Sequence, residues 1–292
     1  MARTKDPHEA SVKSWKTRAR NAGGGGVVQS RGDFAAQAWT GVGKARPEDV
    51  SKLISLPVPG ADDLEAGQIS FEEFAGQAAS SDRSREKVAA HLREGLRDLD
   101  LPDAVLDGLT GIEICFENQL AVPAGLLVRS QDEGLPIKGF YTGAQRKAQL
   151  NATYFADPWI YDDADRKPRE VEARLAAEGG DRVVSKTAAH EMGHHAHLSK
   201  LGAQAALEWE RLSAGGSLCR ISDYGRTNTT EHFAEAFASY ARPGAGGGGM
   251  NRKALKALEP KAYAFMERLW RDKSMWQPKG QFQHLAPRSG KL

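Results

Sequence analysis

"TAAHEMGHHAHLSK", residues 187–200, places four histidines and a glutamate within eight positions of a chain that has eight histidines in all. Read as a helix from about 182 to 200, it puts His190 and His194 on one face, because residues four apart project together, and sets Glu191 beside that face. Two imidazoles at this spacing form half of a metal site, and the adjoining carboxylate can take a proton from a water held there. A chain of this length carries HExxH by accident roughly once in a hundred, so the half-site needs a third ligand. The continuation HExxHxxGxxH is ruled out, since position 197 is histidine and position 200 is Lys200. The third ligand therefore comes from elsewhere. On the helix His195 is turned about 100° from His194 and His197 about 300°, so His195 points away from the ligand face and His197 flanks it. Neither is expected to touch metal, and nor is His232. Gly193 removes a side chain where another backbone can approach.

Downstream lies "SDYGRTNTTEHFAEAFASY", residues 222–240. Glu231 and Glu235 are four apart on a predicted helix, on a face shared with Ala234 and Ala238, while Phe233, Phe237 and Tyr240 form the opposite stripe. The alanines allow a close approach to the HExxH helix. One glutamate can complete the coordination and the other can accept the remaining ring N–H of a ligand histidine. The residues alone leave open which does which. Asn228-x-x-Glu231 also reads as a capping box, which would turn the Glu231 carboxylate towards backbone N–H groups instead.

The pair "HEMGH" and "YGRTNTTEHFAEAF" resembles the catalytic domain of anthrax lethal factor and the related Pro-Pro endopeptidases, zinc metalloproteases of the gluzincin type. The likeness covers residues from about 140 to 240. It implies an α+β, zincin-like fold, with a small mixed sheet beside the HExxH helix, and a Zn2+ ion held by His190, His194 and Glu231. It further implies that Glu191 is the general base, that Tyr224 steadies the oxyanion, and that Glu235 supports a ligand from behind. By the same analogy, "QLNATYF" is the edge strand that pairs with an extended protein or peptide substrate.

Outward from these motifs the chain divides into four expected segments. Residues 1–60 mix basic side chains, a glycine run and "LPVPG", and read as a flexible arm. Trp15 and Trp39 would give that arm anchors for a partner. Residues 61–110 are helical, clearest where Val88, His91, Leu92, Leu96 and Leu99 fall at steps of three and four, followed by a short helix in "PDAVLDGL". Residues 111–275 form the metallopeptidase domain. Its short runs "GIEICF", "AGLLVRS", "IKGFYTG", "AQLNATYF" and "PWIYD" read as strands, with a hairpin turning around residues 143–148. Helices follow in "REVEARLAAE", around the histidines, in "AQAALEWERL", and at about 229–241 and 251–272. Residues 276–292 are a basic tail expected to be extended.

The 292 residues, 40% hydrophobic, suffice for a substantial core. A net charge of +2, from 40 basic and 38 acidic side chains, supplies no field that draws the chain onto nucleic acid or an anionic membrane. Cys115 and Cys219 belong to no CxxC pair and are expected to be free, core-packed thiols. The N-terminus has no apolar signal region, and no stretch is long enough for a membrane span, so synthesis in the cytoplasm is expected, with virion association or delivery into a host cell as later fates. The alternative to a protease is a phage-type structural or assembly protein that carries a zincin-like domain and docks in a larger particle through its arms.

Overall fold

The hairpin expected around residues 143–148 forms, and it sets the order of the whole sheet. Strand β3 (Gly139–Thr142) returns antiparallel as β4 (Lys147–Asn151), with Thr142 opposite Lys147. Arg146 closes the turn in the left-handed region at φ 52°, its Nε donating to Gly108 O at 3.0 Å. On its other side β4 pairs in parallel with β2 (Gly111–Cys115), and β2 pairs in parallel with β1 (Ile54–Ser55). The order is β1-β2-β4-β3, a small mixed sheet within an α+β fold. The computed structural model describes residues 42–56, 85–115, 120–122, 137–152, 155, 180–243 and 251–282, all in the compact unit Ala36–Leu292. Residues 1–41, "AGLLVRS", "PWIYD", "REVEARLAAE" and the last ten residues lie outside the described residues.

Several expectations need correction. "QLNATYF" does not supply the edge: β4 is paired on both sides, and among the described residues β3 is the free edge on that side. The covering of Ala148, Gln149, Leu150 and Asn151 alike reflects that interior place, because a central strand buries both of its faces. Residues 42–56, read as arm, are folded. They form α1 (Pro47–Ser51), which buries Val50, and then β1, just before which Leu53 O accepts from Ile112 N at 2.7 Å. The described part of the helical region, residues 85–110, joins the same core. Helix α2 (85–95) and the 3-10 turn that follows it (Leu96–Asp98) place Val88, Leu92, Leu96 and the capping Leu99 in a single core that runs from Ala45 to Trp276, with His91 half-buried at its boundary. At the other end Trp276 is buried and Phe282 lies 4.2 Å under the Arg146 guanidinium, so the described part of the tail is docked. Cys115 and Cys219 are both free and buried. No helix among the described residues is long and apolar enough to cross a membrane.

Helix α3 (Gly180–His195) carries the HExxH residues and is covered on nearly every side from Ala188 onward. A buried helix with four histidines, a glutamate and a lysine is stable only where each polar group finds a partner. It widens at Ala196–Lys200 into a π-type turn whose Lys200 is fully buried, with Asp107 at 2.5 Å and Gln281 O at 3.0 Å. Helix α4 (Ala203–Ser213) follows, and Trp209 Nε1 donates from it to Thr229 O at 3.1 Å. Helix α5 (Thr229–Tyr240) packs against α3. The expected final helix is two, α6 (Arg252–Leu258) and α7 (Pro260–Arg271), because Pro260 forces Glu259 out of helical geometry to φ −137°, ψ 70°.

The α3–α5 approach depends on Gly193. A Cβ there would stand 2.9 Å from Ala234 Cα and 3.1 Å from Phe237 Cβ. Gly193→Ala gains at most about 1 kcal/mol of helix propensity, whereas overpacking against a backbone that cannot rotate away costs about 1–3 kcal/mol. The variant is expected to melt at lower temperature and to bind metal more weakly, since α5 carries Glu231. Calorimetry with metal titration checks both, and a variant as stable as the parent would show that the two helices separate freely.

Candidate metal centre

Three elements bring the predicted residues together. From α3, His190 Nε2 and His194 Nε2 lie 3.1 Å apart. From the first turn of α5, Glu231 Oε2 stands 3.1 Å from His190 Nε2 and 3.3 Å from His194 Nε2. The N-cap of α5 forms through the Asn228 side chain, which accepts from Thr230 N and Glu231 N at 2.9 Å each. The Glu231 carboxylate does not reciprocate as a capping box would; it turns to the histidines. Glu235, one turn on, puts Oε1 3.0 Å from His190 Nδ1, close in distance although off the line of a hydrogen bond, with Lys186 Nζ 3.8 Å away.

This donor set fits a zinc ion. Three N or O donors bound at about 2.0–2.1 Å with tetrahedral angles stand about 3.3 Å apart, close to the triangle seen. Glu235 beside Nδ1 leaves Nε2 of His190 as the nitrogen aimed at the other two donors, an arrangement that a cation stabilises. The electrostatics agree. Burial opposes charge on His190, but contact with Glu231 and Glu235 and the charge of Glu191 outweigh it and lift its pKa to about 10. Burial likewise opposes charge on Glu231 and Glu235, yet His194 and His190 hold Glu231 far below the carboxylate range, and His190 and Lys186 hold Glu235 at about 2. The two carboxylates thus make the pocket one that favours positive charge on His190.

Glu191 lies beside the triangle, buried against the edge strand. A Cβ on Gly139 would come within 2.7 Å of its Oε1, so only glycine at that strand position leaves room for the carboxylate. Burial pushes Glu191 above the ordinary range, against the pull of His190 and His194, which makes it a stronger base than an exposed glutamate. Tyr224 opens a 3-10 turn (Tyr224–Arg226), with its ring 5.9 Å from that of His190. The residue is 57% exposed, while its hydroxyl end meets the carboxylates. Burial of that end, then the charges of Glu231 and Glu191, push its ionisation well above the usual range. The turn is tied down where Gly225 N donates to Ser222 Oγ at 2.9 Å and Arg226 Nε to Cys219 O at 2.9 Å.

The remaining histidines stand apart from the triangle. His195 Nε2 donates to Asp107 O at 3.1 Å, so its Nδ1 is the acceptor for Tyr141 Oη–H at 2.7 Å, and Ser199 Oγ stands 3.0 Å from that hydroxyl. The widened turn at Ala196–Lys200 takes His197 off the 100° step, and its ring stacks on Phe233, centroids 4.7 Å apart. His232 pairs with Glu259 at 2.6 Å. Sequence reasoning missed Glu259, Ser222 and Gly139. Only the Glu-Pro step at 259–260 marked any of them, and it marks a helix start rather than a site.

Burial lowers His195 from 6.5 to about 4 and His197 from 6.5 to about 3. Below the unfolded value the unfolded chain binds protons that the native one refuses. The stability these rings contribute is therefore complete above pH 6.5 and is lost as pH falls through the folded values. At about 1.4 kcal/mol per unit, each histidine costs about 2 kcal/mol between pH 7 and 5. Urea unfolding of the parent and His197→Phe at both pH values isolates one share from those of His190 and His194. The variant, which keeps the stack on Phe233, is expected to lose about 2 kcal/mol less; equal losses would mean that His197 is protonated in the native state.

Compared with known proteins, the sequence matches no family model and no curated relative.

Proposed function

We propose that the chain is a zinc-dependent metalloendopeptidase of zincin-like fold that hydrolyses a peptide bond in an extended protein substrate. The observation that carries this reading is the triangle of His190, His194 and Glu231 donors, at zinc-ligand separations, with the Glu191 carboxylate beside it. His190, His194 and Glu231 would hold the ion, which when bound supplies Lewis-acid polarisation of the scissile carbonyl and lowers the pKa of water. Glu191 takes the proton of the attacking water on its carboxylate and delivers it to the leaving amine. The Tyr224 hydroxyl donates a hydrogen bond to the oxygen that gains charge as the carbonyl becomes tetrahedral. Glu235 fixes the orientation of the His190 ring. The outer edge of β3 offers backbone groups to an extended peptide, and Gly139 there keeps the Glu191 carboxylate close to the bound chain.

Metal analysis of the purified protein, together with a peptide-library cleavage screen run beside Glu191→Ala, tests this. One zinc per chain and cleavage that the variant lacks are expected. Zinc without cleavage favours the non-enzymatic assembly protein instead, and no metal uptake sinks both.

A further inference from the structure

Cys219, His232 and Glu259 form a second buried cluster of metal-ligand residue types, 13 to 40 positions apart in sequence. Its geometry is not that of a metal site. His232 Nε2 and Glu259 Oε2 are 2.6 Å apart, a hydrogen bond and well inside the separation of about 3.3 Å between two ligands of one zinc. The other carboxylate oxygen is also taken: Oε1 accepts from Arg220 N at 2.5 Å and from Ile221 N at 3.1 Å. Glu259 is 7% exposed and His232 fully buried. Burial opposes the charge on Glu259, but His232 and the Arg220 N–H hold its carboxyl below the ordinary range.

One buried carboxylate thus ties together two segments that the proposed chemistry needs in register. Arg220 and Ile221 begin the turn that ends in Tyr224 and Gly225. His232 is the neighbour of Glu231 on α5. The turn is internally braced by the Ser222 and Arg226 hydrogen bonds, so it moves as a unit, and the hold of Glu259 on its first two N–H groups sets where that unit sits over α5. Glu259 can take this post because Pro260 breaks the helix at it, which frees its side chain to reach back between α5 and the turn.

We infer that Glu259, through His232 and the backbone of Arg220 and Ile221, is a positioning residue that holds the Tyr224 hydroxyl over the metal centre. This rests on the metalloprotease reading. A displacement of about 1 Å in a catalytic group can cost about 100-fold in rate, and a loss of that order in kcat is expected for Glu259→Ala, with KM and zinc affinity close to the parent's. Glu259→Gln should recover most of it, because its amide oxygen still accepts from the two backbone N–H groups. If Glu259→Ala fails to fold, Glu259→Asp, one methylene shorter, replaces it.

The deciding measurement is a double-mutant cycle on the full zinc-loaded chain, with a peptide selected by the library screen. In the Tyr224→Phe background, removing Glu259 should cost little more, since the hydroxyl it positions is already gone. The full loss appearing again in that background, or a parental kcat per folded molecule in Glu259→Ala, overturns the inference while leaving the protease reading intact. A parent that binds zinc and cleaves no peptide overturns the protease reading and this inference with it.

Discussion

Glu191→Gln is expected to lower kcat by up to about 10⁴-fold while zinc content stays at the parental level. The amide matches the carboxylate in shape, so it fits the space against Gly139 that no larger strand residue would leave. What it lacks is basicity. An amide cannot hold the proton of the attacking water or return it to the leaving amine, whereas the three donors of the triangle remain in place. The same substitution should leave the fold as stable or more so, because burial already pushes Glu191 towards its neutral form and glutamine removes a desolvated charge. Inactivity with undiminished metal and an equal or higher melting temperature together distinguish loss of a base from loss of a fold. Cleavage by Glu191→Gln at the parental rate would remove Glu191 from the mechanism, and zinc loss would place it among the ligands.

The sequence exposes the α3 half of this centre because helical periodicity fixes relative direction over four residues, and the histidines lie within that range. Glu231 and Glu235 were recognisable as a pair on one face, but which would reach the metal depends on how α5 docks. That docking brings Gly193 of α3 against Ala234 of α5, 41 positions along the chain, and only the likeness to known metalloproteases favours Glu231 over Glu235. The sheet shows the opposite case. Short runs of β-branched and aromatic residues between turn residues mark β3 and β4 as strands joined by a hairpin, yet say nothing about which has a free edge. That choice was made by β2, whose register with β4 involves residues more than thirty positions away. Residues 42–56 escaped notice for a simpler reason. A helix of five residues and a strand of two are too short to repeat a period, and their order comes from the core they join. Glu259 left no trace because two of its partners are backbone N–H groups, which every residue has.

Tyr224→Phe is expected to reduce kcat by about 10²- to 10³-fold, with KM and zinc affinity near the parent's. Phenylalanine keeps the ring over His190, 5.9 Å away, and removes only the hydroxyl. A donor aimed at the developing oxyanion acts in the transition state and little before it, so the loss should fall on kcat rather than KM. The tyrosine also has a pH signature. Burial of its hydroxyl and the nearby charges of Glu231 and Glu191 hold its ionisation far above the usual value, so it remains a proton donor throughout the working range. The parent and Tyr224→Phe should therefore have pH–rate profiles of the same shape, displaced by a constant factor between about pH 6 and 9. An alkaline limb present in the parent and missing from the variant would mean that Tyr224 loses its proton within that range. It would then be a titrating acid rather than a fixed hydrogen-bond donor, and the oxyanion would need another source of stabilisation.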